Sequence, residues 1–221
     1  MAKSRDSYGQ ALVALRASLR DGGAPPGLPL VVVDLAKALK ISPTPVREAL
    51  SRLTGEGLIE ETRGRGFTVR RLEASDVEAL YQIHALYIAA PLEMTAERPP
   101  ASSAPRPTPT TSQSAPSEMV RHRSSTEELW ARIIRMSNNP SLERALSILA
   151  DQLSLARLVD QEVLSDAAEE LQTLADLEAA GDILGLRHGA MRYHQRRKAV
   201  AAQLATAIRE RFPYRLKIFR I

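Results

Sequence analysis

The chain has 221 residues, 30 Lys+Arg against 26 Asp+Glu for a net charge of +4, and 44% hydrophobic residues. This is the composition of a folded globular protein, which excludes a wholly disordered chain. With no cysteine, disulfide frameworks, zinc fingers and thiol nucleophiles are excluded too, and no stretch approaches the roughly 18 consecutive apolar residues of a membrane span, so a cytoplasmic location is expected.

The charge is unevenly placed. Residues 1–72 hold 12 Lys/Arg and 7 Asp/Glu, a net +5, whereas residues 73–221 carry a net −1. A small basic domain joined to a near-neutral one suits a nucleic-acid reader with a regulatory body, or merely a solvated basic surface.

From Tyr8, Leu12, Leu15 and Leu19 recur at helical spacing until Gly22-Gly23, and Ala24-Pro25-Pro26-Gly27 predicts a loop. The run Leu30 to Ala38 leads into a short helix, interrupted at Ile41-Ser42-Pro43-Thr44-Pro45. Thr44 as N-cap with Pro45 at the first helical position predicts a new helix, Pro45 to about Gly55, with Val46, Ala49, Leu50 and Leu53 inside and Arg47, Ser51 and Arg52 outside. Leu58-Ile59-Glu60-Glu61 and Phe67-Thr68-Val69-Arg70 flank the turn Arg63-Gly64-Arg65-Gly66, a hairpin signature. This order is that of a winged helix-turn-helix.

The remainder reads as an all-α bundle of about five helices. Ser75-Asp76-Val77-Glu78 and Ser125-Thr126-Glu127-Glu128 have the capping-box pattern. Asn139-Pro140 starts a helix with the stripe Leu142, Leu146, Leu149 and Leu153, and Ser165 caps another that Gly181 ends. Asp182 opens a long helix through Ile183, Leu186, Ala190, Tyr193, Val200, Leu204 and Ile208. Pro99 to Glu118 holds six of the 14 prolines and no apolar side chain larger than Ala, so it is expected to be a flexible or polyproline-like linker. The expected division is a reading head over 1–72, a first bundle helix over 73–98, a linker over 99–124 and the rest of the bundle over 125–221. The tail Phe212 to Ile221 alternates basic and apolar residues and suits a strand, a clasp on the bundle or a loose end.

From Ile41 through Thr44-Pro45-Val46-Arg47-Glu48-Ala49-Leu50 to Gly57-Leu58-Ile59-Glu60 and Arg63-Gly64-Arg65-Gly66-Phe67, the sequence resembles the GntR family of bacterial transcription regulators. The resemblance covers about Tyr8 to Leu72. The helical remainder resembles the FadR-like branch, whose ligand-sensing (FCD) domain is a helical bundle, at Ser137-Asn138-Asn139-Pro140 and Ala180-Gly181-Asp182. The resemblance implies that Ser42, Thr44 and Arg47 meet phosphates and bases, with Arg63, Gly64 and Arg65 of the wing beside them. Arg47 could donate two bonds to guanine, or be a solvated helix-face charge; for Arg52 the solvated reading is favoured. Pro43 stands where the family usually has an Arg, and Val33 where another basic residue is usual.

The sensing domain departs further. Where many FCD domains hold a divalent metal with one Asp and three His, the matching positions here are Thr126, Trp130, Leu171 and His194, so no metal and no other cofactor is expected. His194 is expected to pack or hydrogen-bond in the bundle or to line a residual pocket. His84 replaces the arginine that often meets the effector carboxylate. Two readings follow. One is a homodimeric transcription regulator that binds a two-fold, palindromic operator in double-stranded DNA, with a possible small-molecule effector and no membrane partner. The other is a dimeric interaction protein whose winged helix has lost specific recognition. An enzyme is not expected: there is no phosphate-cradling glycine loop, and His188 and His194 lie on different faces of one helix.

Overall fold

The computed structural model describes residues 2–96 and 125–214. The linker expected over 99–124 and the tail from Arg215 onward lie outside the described residues. Helix α1 (Ala2–Arg20) presents Ala11, Leu15 and Leu19 to one core. Strand β1 (Pro29–Leu30) precedes α2 (Val32–Leu39), and Lys40 closes α2 in the left-handed region at φ 57°. Helix α3 (Pro43–Gly55) buries Val46, Ala49, Leu50 and Leu53 completely, which stabilises by about 1.5–3 kcal/mol for each large aliphatic side chain.

Helix α3 starts two residues before the expected Pro45. Ser42, not Thr44, is the N-cap, in the extended conformation (φ −73°, ψ 158°) that suits a residue before proline. Pro43 and Pro45 both fit in the first turn because its N–H groups have no intrahelical partner to lose.

Strands β2 (Ile59–Thr62) and β3 (Gly66–Val69) form the hairpin, pairing Ile59 with Val69 and Thr62 with Gly66. Strand β1 adds to the free edge of β3, giving the antiparallel order β1-β3-β2. Phe67 and Val69 alternate inward onto α1, α2 and α3, so the wing is anchored by the same core as the helices.

A second core gathers α4 (Ala74–Ala96), α5 (Ser125–Arg135), α6 (Pro140–Gln152), α7 (Ser154–Leu158), α8 (Asp160–Val163), α9 (Ala167–Ala180), α10 (Ile183–Ala199) and α11 (Ala201–Arg211). Asn139 caps α6, its Oδ1 accepting from the N–H groups of Ser141 and Leu142, and Asn138 makes the preceding turn at φ 49°. Gly181 ends α9 at φ 71°, and Asp182 caps α10 by accepting from the Gly185 N–H.

Other caps move. At the start of α4 the Asp76 carboxylate accepts from the Glu73 N–H, placing Ser75 inside the first turn, and Asp166 rather than Ser165 precedes α9. The expected long C-terminal helix divides at Val200 (φ −106°, ψ 18°) into α10 and α11. Proline 91 lies within α4, at the cost of one backbone hydrogen bond.

Candidate nucleic-acid interface

The solvent face of α3 is built by subtraction. Once Val46, Ala49, Leu50 and Leu53 are committed to the core, the 100° step per residue turns Thr44, Arg47 and Ser51 outward on the opposite side, and all three are exposed. Ser42, exposed at the N-cap, makes no side-chain capping bond. No acidic residue occupies the first turn, so the partial positive charge of the helix N-terminus is not cancelled locally. Arg47 makes no ion pair among the described residues, whereas Arg52 bonds Glu56 at 2.7 Å, as a structural surface charge does.

The wing tip presents Arg63, Gly64 and Arg65, all exposed. Gly64 and Gly66 have φ of 79° and 80°, the left-handed region in which a side chain is strained, and the Arg65 N–H donates to the Thr62 carbonyl at 2.9 Å to close the turn. Lys37 and Lys40, exposed at the end of α2, were missed as candidates. Their signal was available as a lysine pair directly before the turn into α3. Val33 and Pro43 are exposed, so two apolar side chains face solvent near these cations.

The two histidines singled out in the second domain come together at its centre. His84 on α4 and His194 on α10 are buried with Nδ1 of the first 2.7 Å from Nε2 of the second. The hydrogen-bond partners assign the tautomers. His194 Nδ1 donates to the Ala190 carbonyl at 2.6 Å, so its Nε2 accepts from His84 Nδ1, and His84 Nε2 accepts from Arg157 Nη2 at 2.9 Å. Burial lowers the pKa of His84 well below the ordinary histidine value, with Arg157 and His194 adding to the effect. Burial likewise brings His194 down to about 4, opposed by its bond to Ala190.

The Trp130 ring packs against both imidazoles, with centroids 5.7 and 5.3 Å away. Thus Trp130 packs, edge-on to His84 and tilted to His194, where the resemblance would put a ligand imidazole. Among the described residues no group of three or more His, Cys, Asp or Glu side chains is placed to hold a metal ion. His188 is exposed on the other side of α10.

Residues 7–69 match the family model described as "Bacterial regulatory proteins, gntR family". Over 141 residues the chain is 29% identical to the Nta operon transcriptional regulator of Aminobacter aminovorans, covering 61% of this chain and 66% of that protein. Over 70 residues it is 33% identical to an HTH-type transcriptional regulator of Agrobacterium vitis, covering 32% of this chain and 41% of that one. The matches therefore span less than two thirds of these relatives' lengths.

Among solved structures, a putative GntR transcriptional regulator from Rhodococcus sp. RHA1 superposes with a TM-score of 0.66 at 18% identity, covering 97% of this chain and all of that one. McbR/YncC of E. coli superposes with a TM-score of 0.61 at 20% identity, covering 89% and 97%. At these identities the superpositions establish the shared fold. The family and these relatives are transcription regulators, not enzymes. Residues 7–69, with their winged helix-turn-helix, belong to the GntR family.

Proposed function

We infer that the chain is a transcription regulator that binds a two-fold operator as a homodimer, with α3 in the major groove and the wing beside it. The observation that carries this reading is Arg47, exposed and without an ion pair among the described residues on the outer face of α3 between Thr44 and Ser51, above an inner face that is completely buried. Its guanidinium suits guanine O6 and N7, while Ser42, Thr44, Lys37, Lys40 and the wing cations Arg63 and Arg65 suit phosphates. In this reading residues 1–72 form the head, 73–98 and 125–221 form an FCD-like body, 99–124 link the body's first two helices, and the protein works in the cytoplasm. The body dimerises and responds to a small-molecule effector without a metal. Support for dimerisation is the stripe of Ile83, Leu86 and Met94, exposed along one face of α4.

Recovering bound fragments from fragmented genomic DNA tests this reading, which requires a shared sequence with two related half-sites. Arg47→Ala is then expected to weaken operator binding by about 1–3 kcal/mol per half-site, roughly tenfold to a hundredfold, with the oligomeric state unchanged. Unchanged operator affinity would remove α3 as the reading element. The exposed Val33 and Pro43, at positions where the family usually carries basic residues, favour a second reading, a dimeric interaction protein without sequence preference. Equal, equally salt-dependent affinity for operator and random DNA would establish that one.

A further inference from the structure

A helix start leaves its first four backbone N–H groups without an intrahelical partner, and at the start of α3 the prolines 43 and 45 have no N–H to leave. Pro45 is buried with the inner face, whereas the Pro43 ring is exposed. Pro43, Arg47 and Ser51 follow one another at intervals of four, so they form a single stripe along the outer face of α3, with Pro43 at its N-terminal end and Arg47 one turn behind it. The exposed residues next to that end are polar or cationic: Lys37 and Lys40 of α2, then Ser42 and Thr44 on either side of Pro43 in the chain. A pyrrolidine ring offers no hydrogen bond to a phosphate or to the donors and acceptors of base edges. It matches one group of the major groove, the C5-methyl of thymine, which is the apolar feature of that groove's code.

We propose that Pro43 is a specificity-determining residue that reads thymine: its ring packs against the C5-methyl group of one thymine in each half-site, beside the base that Arg47 bonds. This deepens the regulator reading and rests on it. The lysines of α2 and the arginines of the wing hold phosphates whatever the sequence, Arg47 selects a base by hydrogen bonds, and Pro43 adds a selection that needs no hydrogen bond. The exposed proline is then a reading group, and its apolar surface is covered when DNA is bound. Burying one methyl group against the ring is worth about fourfold in affinity, or about fifteenfold over two half-sites.

The test uses the full chain and duplexes that carry the sequence shared by the recovered genomic fragments. Deoxyuridine keeps the pairing and the O4 acceptor of thymine and lacks only the methyl group, so it is put in place of each thymine in turn, in both half-sites at once. At one symmetric position the wild type is expected to bind about fifteenfold more weakly. Pro43→Ser, which removes the ring and leaves the exposed first turn polar, should bind the thymine duplex more weakly. It should also bind the thymine and deoxyuridine duplexes within about twofold of each other at that position, with the circular dichroism spectrum unchanged. The deoxyuridine series is read on the wild type, so it stands even if Pro43→Ser fails to fold. If no thymine costs more than about twofold on replacement, or if wild type and Pro43→Ser lose equally, the assignment is overturned while the regulator reading stands. The absence of any shared sequence among the recovered fragments overturns both.

Discussion

His84 and His194 are 110 positions apart, and each supplies what the other lacks. The chain of bonds from Arg157 through His84 and His194 to the Ala190 carbonyl uses one donor and one acceptor on each neutral ring. Tyr81, Trp130 and Tyr193 pack around the pair, and Arg157 and Arg197 raise the cost of a further positive charge. Because burial takes the folded pKa of His194 from 6.5 to about 4, the unfolded chain binds more protons across that interval. The contribution to stability is intact above about pH 6.5 and is lost as the pH falls through the window to about 4. It amounts to about 3 kcal/mol for His194, with the lowered pKa of His84 acting in the same direction. Urea midpoints measured from pH 7 to pH 4 should therefore fall steeply, and His194→Gln should flatten the slope; an equal slope in both proteins would place the proton uptake elsewhere. Sequence spacing marked each histidine singly, because nothing local connects positions on α4 and α10 that only the antiparallel packing of the two helices brings together.

At the scale of elements, Arg197 ties together three helices. Its guanidinium is fully buried on α10, bonded to Asp160 of α8 at 2.5 Å and to Glu170 of α9, and lies 3.4 Å from the centre of the Tyr193 ring. Burial alone would lower its pKa, but Tyr193, Asp160 and Glu170 hold it raised, while burial raises that of Asp160 against the pull of Arg197. Arg197→Ala strands the Asp160 carboxylate in the interior and leaves Glu170 with Arg196 alone, 3.0 Å away, and should cost about 3–5 kcal/mol in denaturant unfolding. Replacing all three charged residues with apolar ones of similar volume should cost less than that single change, and the reverse order would show that the cluster itself stabilises the bundle. The elements that were legible had a repeating pattern or a sharp local signal. The inner face of α3, the glycine-turned wing, the Asn139-Pro140 start and the Gly181 stop are of this kind. Strand β1 was not legible, because its two residues are a strand only through pairing with β3. The short α7 and α8 and the division at Val200 likewise carry no proline or glycine to announce them.

For the whole molecule, the net +5 of residues 1–72 overstates the basic charge left on the outer surface of the head. Arg16 and Arg20 point away from it into the body. Arg16 bonds Asp151 at 2.5 Å and Glu56 at 2.6 Å, and Arg20 bonds Glu127 and reaches the other Asp151 oxygen at 3.2 Å. Gln152 adds a bond to the Glu56 carbonyl at 2.8 Å, and the Phe212 ring lies against Gly22, where φ is 77° and a side chain would collide with it. Composition revealed the charge asymmetry but could not divide it, since an arginine facing a carboxylate on another helix and one facing solvent read alike in sequence. Asp151 is the hinge pin of this junction, because its 4% exposed carboxylate is shared by both arginines. Asp151→Ala leaves Arg16 with Glu56 and Arg20 with Glu127, so each core stays formed while Arg20–Glu127 is left as the one ion pair of this cluster that still bridges them. Two hydrophobic cores joined by these contacts should unfold as one unit in calorimetry, and Asp151→Ala should resolve that transition into two, the smaller N-terminal core melting first. A single transition in the variant, shifted by less than about 1 kcal/mol, would mean that Phe212, Gln152 and the remaining Arg20–Glu127 pair hold head and body together without Asp151.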